Sequence, residues 1–119
     1  MKAYTDLEQS KKLAKILPLE SADIWFANGI YLIKTSKEPK DIQGVFSCWS
    51  LAALLNYLRK IDFFPNIKAD EHSVTMNIDY YDEKEARPLA PVHSIKVKAD
   101  NMIDVCYEII IKLHEQNLL

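Results

Sequence analysis

Apolar residues recur along this chain in several rhythms, and each rhythm predicts a different element. From Ser73 to Tyr80 the alternation is strict: Val74, Met76, Ile78 and Tyr80 fall on one side, and Thr75, Asn77, Asp79 and Tyr81 on the other. Alternation of this kind marks a strand with one dry and one wet face. Val92–Lys98 repeats it, with His93, Ile95 and Val97 opposite Ser94, Lys96 and Lys98. The charged, proline-containing stretch Asp82–Pro91 joins the two strands as a long-looped hairpin. Beyond Asp100-Asn101, which can cap a helix, the spacing becomes helical. Met102, Val105, Cys106, Ile109, Ile110 and Leu113 make one apolar stripe, while Asp104, Glu108, Lys112 and Glu115 lie off it. Ser47–Arg59 follows a third pattern, apolar on almost every side, with Ser50 the single polar residue between Trp49 and Leu55. A helix apolar all round is buried all round, so this stretch predicts a central helix against which the other elements pack.

The first third of the chain predicts a helix and a hairpin. Thr5-Asp6-Leu7-Glu8 fits a capping box, with Lys11, Lys12 and Lys15 suited to the negative end of the helix and Pro18 to its stop. Ile24-Trp25-Phe26-Ala27 and Ile30-Tyr31-Leu32-Ile33 flank Asn28-Gly29. Asn-Gly between apolar β-formers predicts a tight hairpin, because both turn positions take positive φ. Both faces of these strands carry apolar residues, so either both are covered or one meets a partner. Lys34–Gly44 reads as a loop, and Phe63-Phe64-Pro65 turns the chain away from the central helix. The predicted order is α-β-β-α-β-β-α. Strand pairs set between helices predict an α+β fold, residues 1–119 forming one small domain with a mostly antiparallel sheet around the buried central helix.

Composition narrows the function classes. The 119 residues are 49% hydrophobic and 27% charged, which is enough apolar material for a core without outside support. A formal net charge of −2 argues against binding to duplex nucleic acid, which needs a basic stripe. No apolar run approaches the length of a membrane span, and the first residues lack an apolar signal region, so a cytoplasmic location is expected. Cys48 and Cys106 both sit among apolar residues and read as reduced, buried thiols.

Three stretches carry a resemblance. They are Tyr4-Thr5-Asp6-Leu7-Glu8-Gln9-Ser10-Lys11-Lys12-Leu13-Ala14, running on to Leu17-Pro18 and Glu20-Ser21-Ala22-Asp23; Cys48-Trp49-Ser50-Leu51-Ala52-Ala53-Leu54-Leu55; and Asp104-Val105-Cys106-Tyr107-Glu108-Ile109-Ile110, through Leu113. Together they resemble a family of small proteins of unknown function from gut anaerobic bacteria and their mobile elements. Proline often precedes the Cys-Trp pair in that family, whereas Ser47 stands there in this chain. The resemblance implies a bacterial, single-domain protein and assigns no site residue.

For chemistry, the sharpest candidate is Cys48. Gln43-Gly44-Val45-Phe46-Ser47-Cys48-Trp49 is similar to the entry of the nucleophile helix in papain-like cysteine peptidases, one residue shorter between Gly and Cys. A cysteine in the first turn of a helix gains thiolate character from the helix dipole. On that reading Gln43 lends an oxyanion donor, His93 is the base, and Asp100 or Asn101 orients it. Papain-like chains are much longer, with the histidine far further downstream, so this hydrolase is the alternative and a buried structural thiol is the main expectation. His72, His93 and His114 lack metal-site spacing. The acidic residues Asp70, Glu71, Asp79, Asp82, Glu83 and Glu85 match no cation-loop pattern, and two isolated glycines cannot build a phosphate loop. No metal or cofactor is therefore expected. The aromatics are more informative. Trp25, Phe26, Tyr31, Phe63, Phe64, Tyr80 and Tyr81 are many to hide in a domain of this size. The expectation is a non-enzymatic interaction or regulatory module that binds a protein partner or itself, as a homodimer, through Trp25, Phe26, Tyr31 and Ile33 of the first hairpin.

Overall fold

The helix on which the chain is built is the last one. In the computed structural model, which describes residues 2–34, 44–61, 63, 65–81 and 92–119, helix α3 spans Met102–Glu115. It buries Ile103, Val105, Cys106, Tyr107, Ile109, Ile110 and Leu113. Asn101 caps it, the side-chain oxygen accepting the Asp104 N–H at 2.9 Å. Lys112 and His114 lie in its last turn, where cations suit the dipole.

α3 covers the dry face of an antiparallel sheet of β4 (Asn66–Ala69), β5 (Val74–Tyr81) and β6 (Val92–Ala99), in that order. The β5–β6 register sets Met76 opposite Val97 and Ile78 opposite Ile95. Val74, Met76, Ile78, Ile95 and Val97 are all buried, as the alternation in the sequence predicts. Helix α2 (Leu51–Lys60) packs on the other side of α3 through Leu54 and Leu58. Helix α1 (Leu7–Leu13) adds Leu13, and the turn beyond it adds Leu17.

The hairpin forms where the sequence puts it. β1 (Ile24–Ala27) and β2 (Ile30–Ile33) pair from Ile24–Ile33 to Ala27–Ile30. Asn28 and Gly29 take φ of 51° and 77°, the left-handed geometry a two-residue hairpin turn needs. A short strand β3 (Phe46–Cys48) pairs with the other side of β1, so the second sheet has the order β2-β1-β3. The architecture is α+β in the predicted order α-β-β-α-β-β-α, with β3 and β4 as short additions and two three-stranded antiparallel sheets.

Three local expectations are corrected. The capping box of α1 lies one residue later, on Asp6 and Gln9, because Thr5 is taken up elsewhere. The Thr5 hydroxyl is fully buried, accepts the Trp49 N–H at 3.1 Å and shares a 2.8 Å hydrogen bond with Ser10. The apolar run from Ser47 is divided, since Phe46–Cys48 belongs to a strand and Ser50 caps α2. α2 is buried on one face only: Leu54 and Leu58 are enclosed, while Ala52 and Asn56 are exposed. No helix among the described residues is long and apolar enough to cross a membrane.

Candidate functional site

The residues proposed for cysteine chemistry lie on separate elements. Cys48 ends β3, two positions before the cap of α2, so it is not in the first turn of a helix. It is 2% exposed. Burial pushes its thiol up, against the smaller opposite pulls of a Ser10 hydrogen bond and the Lys34 charge. A buried thiol with raised pKa is a poor nucleophile. His93 lies in the other sheet, opposite Tyr80 in the ladder, with the two rings stacked at 5.4 Å. Asn101 is committed to capping, since its amide nitrogen also donates to Asp104 at 2.8 Å. Gln43 falls outside the described residues, as do Asp82, Glu83 and Glu85. Cys106 is fully buried in α3, its thiol pushed up to about 12 by desolvation, and neither cysteine is in a disulfide.

The acidic residues within the described part have structural partners. Asp70 accepts the N–H groups of His72 and Ser73, both at 2.8 Å, and shapes the β4–β5 turn. Asp79 accepts from Asn77 at 3.0 Å and from the Ser94 hydroxyl at 2.5 Å. Among the described residues, no three His, Cys, Asp or Glu side chains converge as a metal-ligand group.

The first hairpin is different. Register and alternation give its sheet two faces. One carries Ile24, Phe26, Tyr31, Ile33, Phe46 and Cys48; the other carries Trp25, Leu32 and Ser47, with Ala27 and Ile30 beside the turn. On the first face the rings form a chain. Tyr4 stacks on Tyr31 at 4.8 Å, Tyr31 tilts against Phe26 at 5.0 Å, and Phe26 lies 6.3 Å from Phe46. On the second face the Lys34 ammonium sits 4.0 Å from the centre of the Trp25 ring and donates to Ser47 Oγ at 2.8 Å. A lysine whose ammonium is held by a ring and a hydroxyl in this way has less entropy to lose when that face is covered.

β1 is the inner strand and is half enclosed. β2 is not: Ile30, Tyr31, Leu32 and Ile33 are 59%, 43%, 41% and 77% exposed. No described strand pairs with its outer side. The buried residues of this sheet, Ile24, Ala27 and Cys48, are also not part of the continuous core around α3. The hairpin is thus a wing whose outer strand is apolar and, among the described residues, without a neighbour on its far side. Residue type in the sequence points to Tyr31 and Ile33 as contacts and passes over Ile30 and Leu32. The signal for them was the apolar run on both faces, but only strand order shows which strand is outermost. Comparison with family models, with curated proteins and with solved structures gave no match, and so adds nothing to the resemblance to proteins of gut anaerobes.

Proposed function

We propose that this protein is a non-enzymatic interaction module, and that its contact is the β1–β2 hairpin, engaged along β2 by an extended segment of a protein partner. The observation that carries this reading is the exposure of all four side chains of β2 on a strand that is outermost among the described residues. An apolar edge strand is a template for strand addition, and natural proteins blunt such edges with charge, proline or bulges. Ile24–Ile33 has no charge and no proline, and its pairing with β1 runs without a bulge. An edge so unprotected suits a surface meant to be covered. The buried state of Cys48 and its raised thiol pKa give the hydrolase alternative no support. A cytoplasmic, bacterial setting fits two unpaired thiols.

The test is a photo-activatable amino acid placed at position 33, with the exposed Glu115 of α3 as control position, irradiated in producing cells. Discrete adducts at 33 that are absent at 115 are expected. An adduct profile at 33 no different from the control would refute the reading.

A further inference from the structure

We infer that the partner of β2 is β2 of a second copy of this chain, paired antiparallel about a two-fold axis at Leu32. This rests on the interaction-module reading above and gives it an occupant and a register.

The backbone sets the register. Lys34 N–H donates to Asp23 C=O at 2.9 Å, so the Lys34–Asp23 pair is hydrogen-bonded toward β1. Hydrogen-bonded and open pairs alternate along an antiparallel ladder. Leu32 and Ile30 therefore also bond inward, to Trp25 and Ala27, and the N–H and C=O groups of Tyr31 and Ile33 point to the open edge. A two-fold axis at Leu32 brings Tyr31 of each copy opposite Ile33 of the other. Every outward group on the strand then has a partner, and none is left over. An axis at Tyr31 would instead set Ile33 against Gly29, whose φ of 77° belongs to the turn and breaks the ladder. Of these two registers, only the one about Leu32 pairs every outward group of β2.

Side chains agree with the backbone. Directly opposed residues in a ladder share a face. On one face the row Cys48–Ile24–Ile33 continues into Tyr31–Phe26–Phe46 of the second copy. On the other, Trp25 and Leu32 meet Leu32 and Trp25. Two three-stranded sheets become one of six strands with apolar rows running across the seam. Lys34 falls opposite Ile30, and its ammonium is already drawn onto its own Trp25 ring and Ser47. A two-fold seam fails when like charges face each other. This one runs over Ile30–Lys34, and its one charge, Lys34, falls opposite Ile30 rather than opposite the same charge on the second copy. A second copy thus brings no opposed like charge to the seam.

The experiment uses the full chain and engineered cysteines, with the buried Cys48 and Cys106 left in place. Opposed Cα atoms at an open antiparallel pair are about 4.5 Å apart, within disulfide range. Light scattering over a dilution series should show a dimer that dissociates on dilution. Mild oxidation should link Leu32→Cys chains to each other. Ile33→Cys chains should stay unlinked alone but link to Tyr31→Cys chains when mixed. A dimer in which Leu32→Cys does not link would overturn the register, and a monomer at every concentration would overturn the second copy. Photo-adducts at position 33 then separate the two levels: adducts of another mass leave the interaction module standing without self-pairing, and no adducts remove both. Far-ultraviolet circular dichroism of each cysteine variant, matched to the parent, guards against misfolding; position 32 is 41% exposed and position 33 77%, so both should fold.

Discussion

Ile24 and Ile33 face each other across the hairpin ladder on the same side of the sheet, yet one is 5% exposed and the other 77%. Replacing each by threonine keeps the β-branch and removes apolar surface. Full burial of an isoleucine side chain stabilises by about 1.5–3 kcal/mol. At Ile24 nearly all of that is lost and a hydroxyl is buried without an assigned partner, so Ile24→Thr should lower unfolding free energy by about 2–4 kcal/mol. At Ile33 only about a quarter of the side chain is covered within one copy, so Ile33→Thr should change it by less than about 0.7 kcal/mol. Association reverses the ranking of this residue. A second copy that covers the exposed part gains about 1–2 kcal/mol at each of two Ile33 positions, so Ile33→Thr should weaken the dimer by roughly 30- to 700-fold. Urea unfolding followed by tryptophan fluorescence at dilution gives the first number, and sedimentation velocity across concentrations gives the second. Equal loss of stability for both variants at dilution would refute the exposed placement of Ile33. Unchanged association for Ile33→Thr would remove the hairpin as the contact.

Other outcomes follow from single sites. Gly29→Ala should cost about 1–2 kcal/mol from the left-handed turn alone, because a Cβ there meets nothing within 4 Å; a much larger loss in urea unfolding would contradict that open space. The Asp104 carboxyl is pushed up by burial but held below its usual range overall by hydrogen bonds from Lys2, Gln9 and Asn101. Its folded value lies below its unfolded one, so its stabilisation is complete above the unfolded range, about pH 4, and is lost as pH falls through the folded value. Asp104→Asn should flatten the fall of the urea midpoint in acid and cost about 1 kcal/mol at neutral pH, the Lys2–Asp104 pair being part-exposed; an unaltered acid slope would count against the Lys2 contact. Iodoacetamide should modify neither Cys48 nor Cys106 until the protein unfolds, read by peptide mass spectrometry. Rapid labelling of Cys48 near neutrality would overturn its burial.

Local patterns carried most of this fold in the sequence. Asn28-Gly29 needs no distant information, because the turn geometry is a property of those two residues. The alternation of β5 records which face is dry and appears as read, while the buried face of α3 is wider than the stripe, taking in Ile103 and Tyr107 and leaving Met102 half-buried. What was not legible depends on partners far along the chain. Thr5 looks like a cap until Trp49 takes its oxygen, which passes the role to Asp6. Cys48 looks helical until pairing with Ile24 holds it extended. β4 has exposed side chains throughout and no rhythm of its own, and exists because β5 offers it a ladder. For the contact surface, residue type pointed to the hairpin, but only the position of β3 beside β1 leaves β2 outermost.

The placement of α3 has a consequence for synthesis. The strands β5 and β6 are made before it, and Val74, Met76, Ile78, Ile95 and Val97 have their cover only once Met102–Glu115 has emerged. Until then the nascent chain displays two sticky surfaces at once, the dry side of that sheet and the open rim of the hairpin. Neighbouring chains on one messenger would meet at either. Chaperone demand should therefore be highest while Val74–Ala99 is out of the ribosome without Met102–Glu115, and drop sharply when that helix docks.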